Sequence, residues 1–268
     1  MAAGAKGIGD QADTDTSAGT HSTVGDFYRD FYAKSGRGLK LNPRMRRMLR
    51  LYAEHRKALG RPVSVLDVGS GPEVILSGYL LDGDSYTGCD IVPPVVPVNE
   101  FAQVDLNEDD LSCRFHGRAF DVIFCGEVIE HVFSPDALLE SLKALLSADG
   151  VLLLSTPNLA YWANRLLLLA GISPLFLENS SRAKLGRRLK ALGQGNTTEG
   201  HLRVFTHRAM LDLLSLQRLE VLAIHSYPPW RFPIDDLVCR FSHHLAPGNI
   251  YQVRLPASTS SGLASTGV

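Results

Sequence analysis

The chain has 268 residues, a formal net charge of −1, and 45% hydrophobic against 21% charged residues. That length suffices for one large domain or two small ones with a real core. The near-neutral balance supplies no global attraction to nucleic acid or to an anionic membrane. Cys89, Cys113, Cys125 and Cys239 form no CxxC pair, so neither a disulfide framework nor a zinc knuckle is indicated, and a reducing cytoplasmic setting is expected.

Residues 1–24 are rich in Ala, Gly, Ser, Thr and Asp and lack the apolar stretch of a signal sequence. Such a composition cannot offset the entropy of ordering, so 1–24 is predicted to be a disordered tail, as is 257–268. The residues between, 25–256, read as one domain. From 25 to 60 the pattern is helical: Phe27, Phe31 and Tyr32, then Met45, Met48, Leu49 and Tyr52, recur at helical spacing.

Seven strand signals follow: Val63–Val68, Ser85–Ile91, Phe101–Asp105, Phe120–Cys125, Val151–Ser155, Leu219–Tyr227 and Asn249–Leu255. Ser134 caps a helix with Pro135 at its first position and a stripe of Leu138, Leu139, Leu142, Leu145 and Leu146, with Gly150 past its end. Thr206 caps another. Strands alternating with helices predict an α/β fold: a mostly parallel, seven-stranded sheet with helices on both faces.

The alternation breaks across residues 159–200, where a helix, Tyr161–Ala170, precedes a basic stretch, Arg182–Lys190, and a Gly-rich loop, 193–200. An insertion of this length is expected to form a helical cap or lid. Its apolar run, Leu166–Ile172, is too short to span a bilayer.

The sharpest motif is Val65-Leu66-Asp67-Val68-Gly69-Ser70-Gly71-Pro72-Glu73. A strand ending in a turn without side chains lets backbone approach a ligand at the carboxyl edge of a sheet. A dinucleotide fold would place a third small residue at 74, and Val74 argues against that cofactor. Asp90 closes the second strand, where a carboxylate can accept both ribose hydroxyls. Asp105, after the third strand, can accept from an adenine amino group, and Cys125 and Gly126 end the fourth.

The ordered series VLDVGSGPE, YTGCDI, QVDL, FDVIFCGEVIEHV and GVLLLSTPN resembles the Rossmann-like class I S-adenosylmethionine (SAM)-dependent methyltransferases, and within them the group containing the ubiquinone-biosynthesis O-methyltransferases. The resemblance covers about Val63 to Leu214 and departs at Glu73, where the loop usually has its third glycine. It implies SAM as cofactor, held by Asp67, Gly69, Ser70, Gly71, Asp90, Ile91, Asp105, Leu106, Cys125 and Gly126, with Asp67 orienting the ammonium group of the amino-acid end.

Glu127-Val128-Ile129-Glu130-His131 follows the fourth strand directly. A helical turn here would place Glu127, Glu130 and His131 on one face, and a divalent cation such as Mg2+ would relieve the repulsion between the two carboxylates. EVIEH, then STPN, then a later histidine is also similar to the small-RNA terminal 2′-O-methyltransferases, which implies metal ligands at Glu127, Glu130, His131 and His201. Two alternatives stand beside ligation: His131 or His201 as general base, or a structural role in which Glu130 and His131 bond neighbouring backbone. Arg203 would bind an acidic substrate group or lie in solvent; His207, His243 and His244 receive no role.

The expected reaction is O-methylation of a small-molecule acceptor, with Tyr161, Trp162, Leu166–Leu169, Leu175 and Phe176 either lining its pocket or packing an ordinary lid. An RNA 2′-O-methyltransferase using Arg182, Lys184, Arg187, Arg188 and Lys190 is one alternative; near-neutral charge argues against a nucleic-acid partner. A SAM-binding protein without catalysis is another. The apolar Leu166–Ile172 run beside the basic stretch is a candidate membrane-surface contact.

Overall fold

The structure is a computed structural model that describes residues 41–186, 198–228 and 233–257. The expectations for both tails, for residues 25–40 and for Arg187, Arg188 and Lys190 lie outside the described residues.

Helix α1, Pro43–Leu59, begins where Asn42 Oδ1 accepts the Met45 N–H at 2.8 Å, with Pro43 in the first turn. It ends at Gly60, whose φ of +67° is the left-handed stop that glycine adopts at low cost. Met48, Leu51 and Tyr52 face the sheet.

The sheet comprises β1 (Ser64–Val68), β2 (Ser85–Asp90), β3 (Phe101–Gln103), β4 (Phe120–Gly126), β5 (Leu146–Pro157), β6 (Glu220–Tyr227) and β7 (Gly248–Arg254), in the order β3-β2-β1-β4-β5-β7-β6. Every pairing is parallel except β5–β7 and β6–β7. Between the strands lie α2 (Leu111–Arg114), α3 (Pro135–Leu145), α4 (Trp162–Leu169), α5 (His207–Leu216) and α6 (Pro233–Phe241).

Strand side chains alternate between two cores, as the pleat requires. Leu66, Val68, Ile123, Cys125, Leu152 and Leu154 pack with Leu138, Leu139, Leu142 and Leu145 of α3 and Met210 and Leu214 of α5. On the other face Val65, Val122, Phe124, Val151 and Leu153 pack with Met48, Leu51 and Tyr52 of α1. Both faces are therefore covered, which is why these strands read as continuous apolar runs.

Gly150 is not a helix cap. α3 stops five residues earlier, and a Cβ on Gly150 would lie 2.9 Å from the Phe120 carbonyl oxygen, so the glycine serves close passage beside β4.

The cap is anchored by Asn158, just past β5. Its Nδ2 donates to the carbonyls of His244 and Ala246, and its Oδ1 accepts the N–H of Ala160. Asp235 on α6 accepts from the Tyr161 hydroxyl at 2.7 Å and the Trp162 indole at 2.9 Å. Tyr161, Leu175 and Phe176 pack against one another as a small core. Leu166, Leu168 and Leu169 on α4 and Ile234, Leu237 and Phe241 on α6 remain exposed. Among the described residues no helix is long and apolar enough to cross a membrane.

Candidate cofactor cleft and acceptor site

Strand order reverses between β1 and β4, and in open α/β sheets the crevice at that point takes the ligand. Here it is lined by Asp67, Gly69, Ser70, Phe124 and Gly126 from the sheet edge and by Arg44, Met45 and Met48 from α1.

Gly69 and Gly71 both adopt φ of +69°, a conformation costly for residues with a Cβ. A Cβ on Gly69 would also lie 2.4 Å from Val128 Cγ2. Glu73, in place of the usual third glycine, has no positive φ; that conformation falls one residue later, on Val74 at +42°. A short 3-10 turn, Ile75–Tyr79, follows.

Asp90 braces this loop from the end of β2. Its Oδ2 accepts the Gly71 N–H and its Oδ1 the Val92 N–H, both at 2.9 Å. The carboxylate keeps acceptor capacity for a further donor. Burial raises the Asp90 pKa. Asp67 is 4% exposed and accepts from the Tyr86 hydroxyl at 2.8 Å. Desolvation pushes its pKa up to about 7, opposed by Tyr86 and the Arg44 charge.

Ile91 and Leu106 are half-buried, Leu106 against the core. Asp105 folds back on its own loop: Oδ1 accepts the Asn107 N–H, and the Asp105 N–H donates to Asp109. The Cys125 side chain is buried in the core and only its backbone reaches the sheet edge.

Arg44 escaped the sequence reading. Its guanidinium lies directly over Gly126, where a Cβ would collide with Nη1, so Gly126 is the residue that admits the arginine to the cleft. Asn42-Pro43 marks the helix start at sequence level, but no local signal shows that its first turn faces β4.

The EVIEH segment is not helical. The Glu127 N–H still donates to the Ser155 carbonyl at 3.0 Å, extending the sheet ladder by one residue, and the chain then bends at φ +61°. The Glu127 carboxylate consequently departs from the group expected of it: its Oε1 accepts from Ser155 Oγ at 3.1 Å and from the Tyr227 hydroxyl at 2.5 Å. Ser155 and Tyr227 were also not foreseen. Gly248, opposite Tyr227, leaves room for its ring.

Glu130, His131 and His201 do converge, with one ligand-capable atom from each lying within 4.8 Å of the others. Glu130 is fully buried. One oxygen accepts from Thr156 Oγ1 at 3.0 Å, while Oε1 has no hydrogen-bond partner and stands 4.0 Å from His131 Nε2. Desolvation, then the Glu127 charge, raises its pKa. His131 is pushed down to about 4, first by burial and then by His201. The imidazole rings are 4.8 Å apart. A buried carboxylate oxygen without a donor, beside two imidazoles, is a donor set that fits a divalent cation. Arg203 Nη2 donates to the Phe133 carbonyl at 2.9 Å.

Solved structures share this architecture. A SAM-dependent methyltransferase from Clostridium acetobutylicum superposes with a TM-score of 0.53 at 12% identity, covering 85% of this chain and 97% of that one. The N-methyltransferase NodS from Bradyrhizobium japonicum, solved with S-adenosylhomocysteine, gives 0.51 at 12% identity, covering 86% and 98%. The sheet order and the glycine-turn crevice are those of the Rossmann-like class I fold that these methyltransferases share.

The chain belongs to the methyltransferase-domain family, whose profile matches residues 40–224. It is also similar to the ubiquinone biosynthesis O-methyltransferases of Actinobacillus pleuropneumoniae serotype 5b, 35% identical over 109 residues, and of Histophilus somni, 33% over 116. These alignments cover 35% and 37% of this chain, and 45% and 48% of those proteins.

Proposed function

We propose that the protein methylates a hydroxyl oxygen of a small, largely apolar acceptor, with SAM in the β1–β4 crevice. The observation that carries this reading is the convergence of Glu130, His131 and His201 four to five residues past Gly126 and on the returning loop. The partial likeness to ubiquinone-biosynthesis O-methyltransferases supports an oxygen nucleophile.

In this reading Asp90 accepts the ribose hydroxyls, Asp67 takes the ammonium group and Arg44 the carboxylate of the amino-acid end. The sulfonium is already activated, so the protein's task is alignment plus removal of one proton. A bound divalent cation would lower the acceptor hydroxyl pKa and fix its oxygen. Two imidazoles among three donors suit a transition ion such as Mn2+ or Zn2+ better than Mg2+, which prefers oxygen ligands.

Because Asp67 must be ionised to hold the ammonium group, S-adenosylhomocysteine affinity should rise as the pH passes upward through about 7. Asp67→Asn should weaken binding and flatten that profile, and a profile equally steep in the variant would count against the assignment.

The exposed leucines of α4, with Ile234, Leu237 and Phe241 of α6, favour an acceptor met at a lipid surface. The test is mass spectrometry of a SAM-dependent mass gain of one methylene in a panel of phenolic, catecholic and amine acceptors. Each acceptor is offered free and in anionic phospholipid vesicles, with and without chelator. Turnover of hydroxyl acceptors, suppressed by chelator and raised by vesicles, is the expected result; amine-only turnover overturns the reading.

A further inference from the structure

The two imidazoles reach the site from different parts of the chain. His131 lies in the turn after β4, whereas His201 sits on a loop, residues 198–203, that has neither helix nor strand. The loop joins no β-ladder. The Leu202 and Arg203 N–H groups donate to the Glu130 carbonyl at 3.0 and 3.3 Å, and a carboxylate from the cap holds the residues before them.

Glu178 Oε1 accepts the Glu199 N–H at 2.8 Å, and its Oε2 accepts the N–H groups of Gly200 at 2.8 Å and His201 at 3.1 Å. Successive N–H groups converging on one anion form a nest, an arrangement that elsewhere captures a free anion. Here the anion belongs to the chain. The Glu178 side chain is 5% exposed, and Lys184 Nζ lies 3.9 Å from it and 2.9 Å from Glu199 Oε1, offsetting the buried charge. Gly200 turns at φ +87°, which a residue with a Cβ rarely adopts.

Both imidazoles depend on the loop so formed. The Gly200 carbonyl accepts from His131 Nδ1 at 3.0 Å, and the Phe176 carbonyl, two residues before Glu178, accepts from His201 Nδ1 at 2.8 Å. A carbonyl on Nδ1 holds the proton there and leaves Nε2 as the acceptor atom, which is how ligating histidines are usually oriented.

We propose that Glu178 is a positioning residue for the acceptor site: by filling the nest at 199–201 it fixes the orientation and tautomer of His131 and His201 together. The cap is then part of the site's construction as well as its cover. This inference rests on the reading of Glu130, His131 and His201 as the acceptor site.

The test compares the full chain with Glu178→Gln and Glu178→Ala. Glutamine keeps the size but turns a donor toward an N–H that needs an acceptor. Three measurements are made: S-adenosylhomocysteine affinity by calorimetry, histidine tautomers by nitrogen-15 NMR without metal, and Co2+ titration followed by visible absorption. Expected are cofactor affinity within about twofold of wild type, loss of the uniform Nδ1–H tautomer at His131 and His201, and Co2+ binding weakened by about tenfold or more, the usual cost of losing an outer-shell partner.

Variants that retain cofactor affinity and wild-type tautomers overturn the proposal. So does loss of cofactor binding in both, which would make Glu178 a residue of the fold. If alanine prevents folding, glutamine decides. Wild-type protein that ignores Co2+ sinks the cation reading alone, and the tautomer spectra still decide Glu178.

Discussion

Alanine at position 90 is expected to weaken S-adenosylhomocysteine binding by about 100-fold or more, because two hydrogen bonds to a charged acceptor are lost at about 1.5 kcal/mol or more each. The variant also releases the Gly71 and Val92 N–H groups that Asp90 now holds. The glycine loop loses its brace in the same stroke.

Gly69→Ala should be comparably severe for a different reason. It forces a Cβ into a left-handed backbone and against Val128. The double variant Gly69→Ala with Val128→Ala removes the collision and leaves the backbone strain, so it should recover part of the affinity. Calorimetry separates these cases. Wild-type affinity in Asp90→Ala would remove the basis for placing the nucleoside in this crevice.

His131→Ala is expected to lower the rate of methyl transfer by about 10²- to 10⁴-fold, the range associated with a positioned acid–base group, while cofactor affinity stays unchanged. The separation follows from geometry, since Asp67 lies next to the end of β1, Asp90 ends β2 and His131 lies beyond β4. His201→Ala should behave alike, and the double variant should lose little more than either single one, as expected of groups acting as a unit. A His131→Ala enzyme that turns over its acceptor at the wild-type rate overturns both the ligand and the base assignment.

The sheet was legible because its signals are local. A strand buried on both faces must be apolar throughout, and β4 and the core of β5 say so without reference to anything else. The same holds for Ser134-Pro135 and Thr206, whose hydroxyls accept N–H bonds from Ala137 and Ala209 three residues on.

Pairings between distant segments were not legible. Glu127 looked like a helical neighbour of Glu130, yet a single ladder bond to Ser155 on β5 holds its N–H and redirects its side chain toward Tyr227, 100 residues away. Arg44 over Gly126 and Glu178 beneath His201 are contacts of the same kind. In each the residue type was visible and its partner was not, since nothing in the intervening spacing encodes the approach.

The position of β7 has a consequence for how the molecule is made. It follows β6 in the sequence and is the last strand among the described residues, yet lies between β5 and β6. Until residues 248–254 have left the ribosome, β5 presents bare peptide groups along one side and β6 has no strand with which to pair. A nascent chain carrying such an open border is prone to pair with other chains. Its completion therefore depends on the late arrival of a seven-residue wedge that closes the sheet from within.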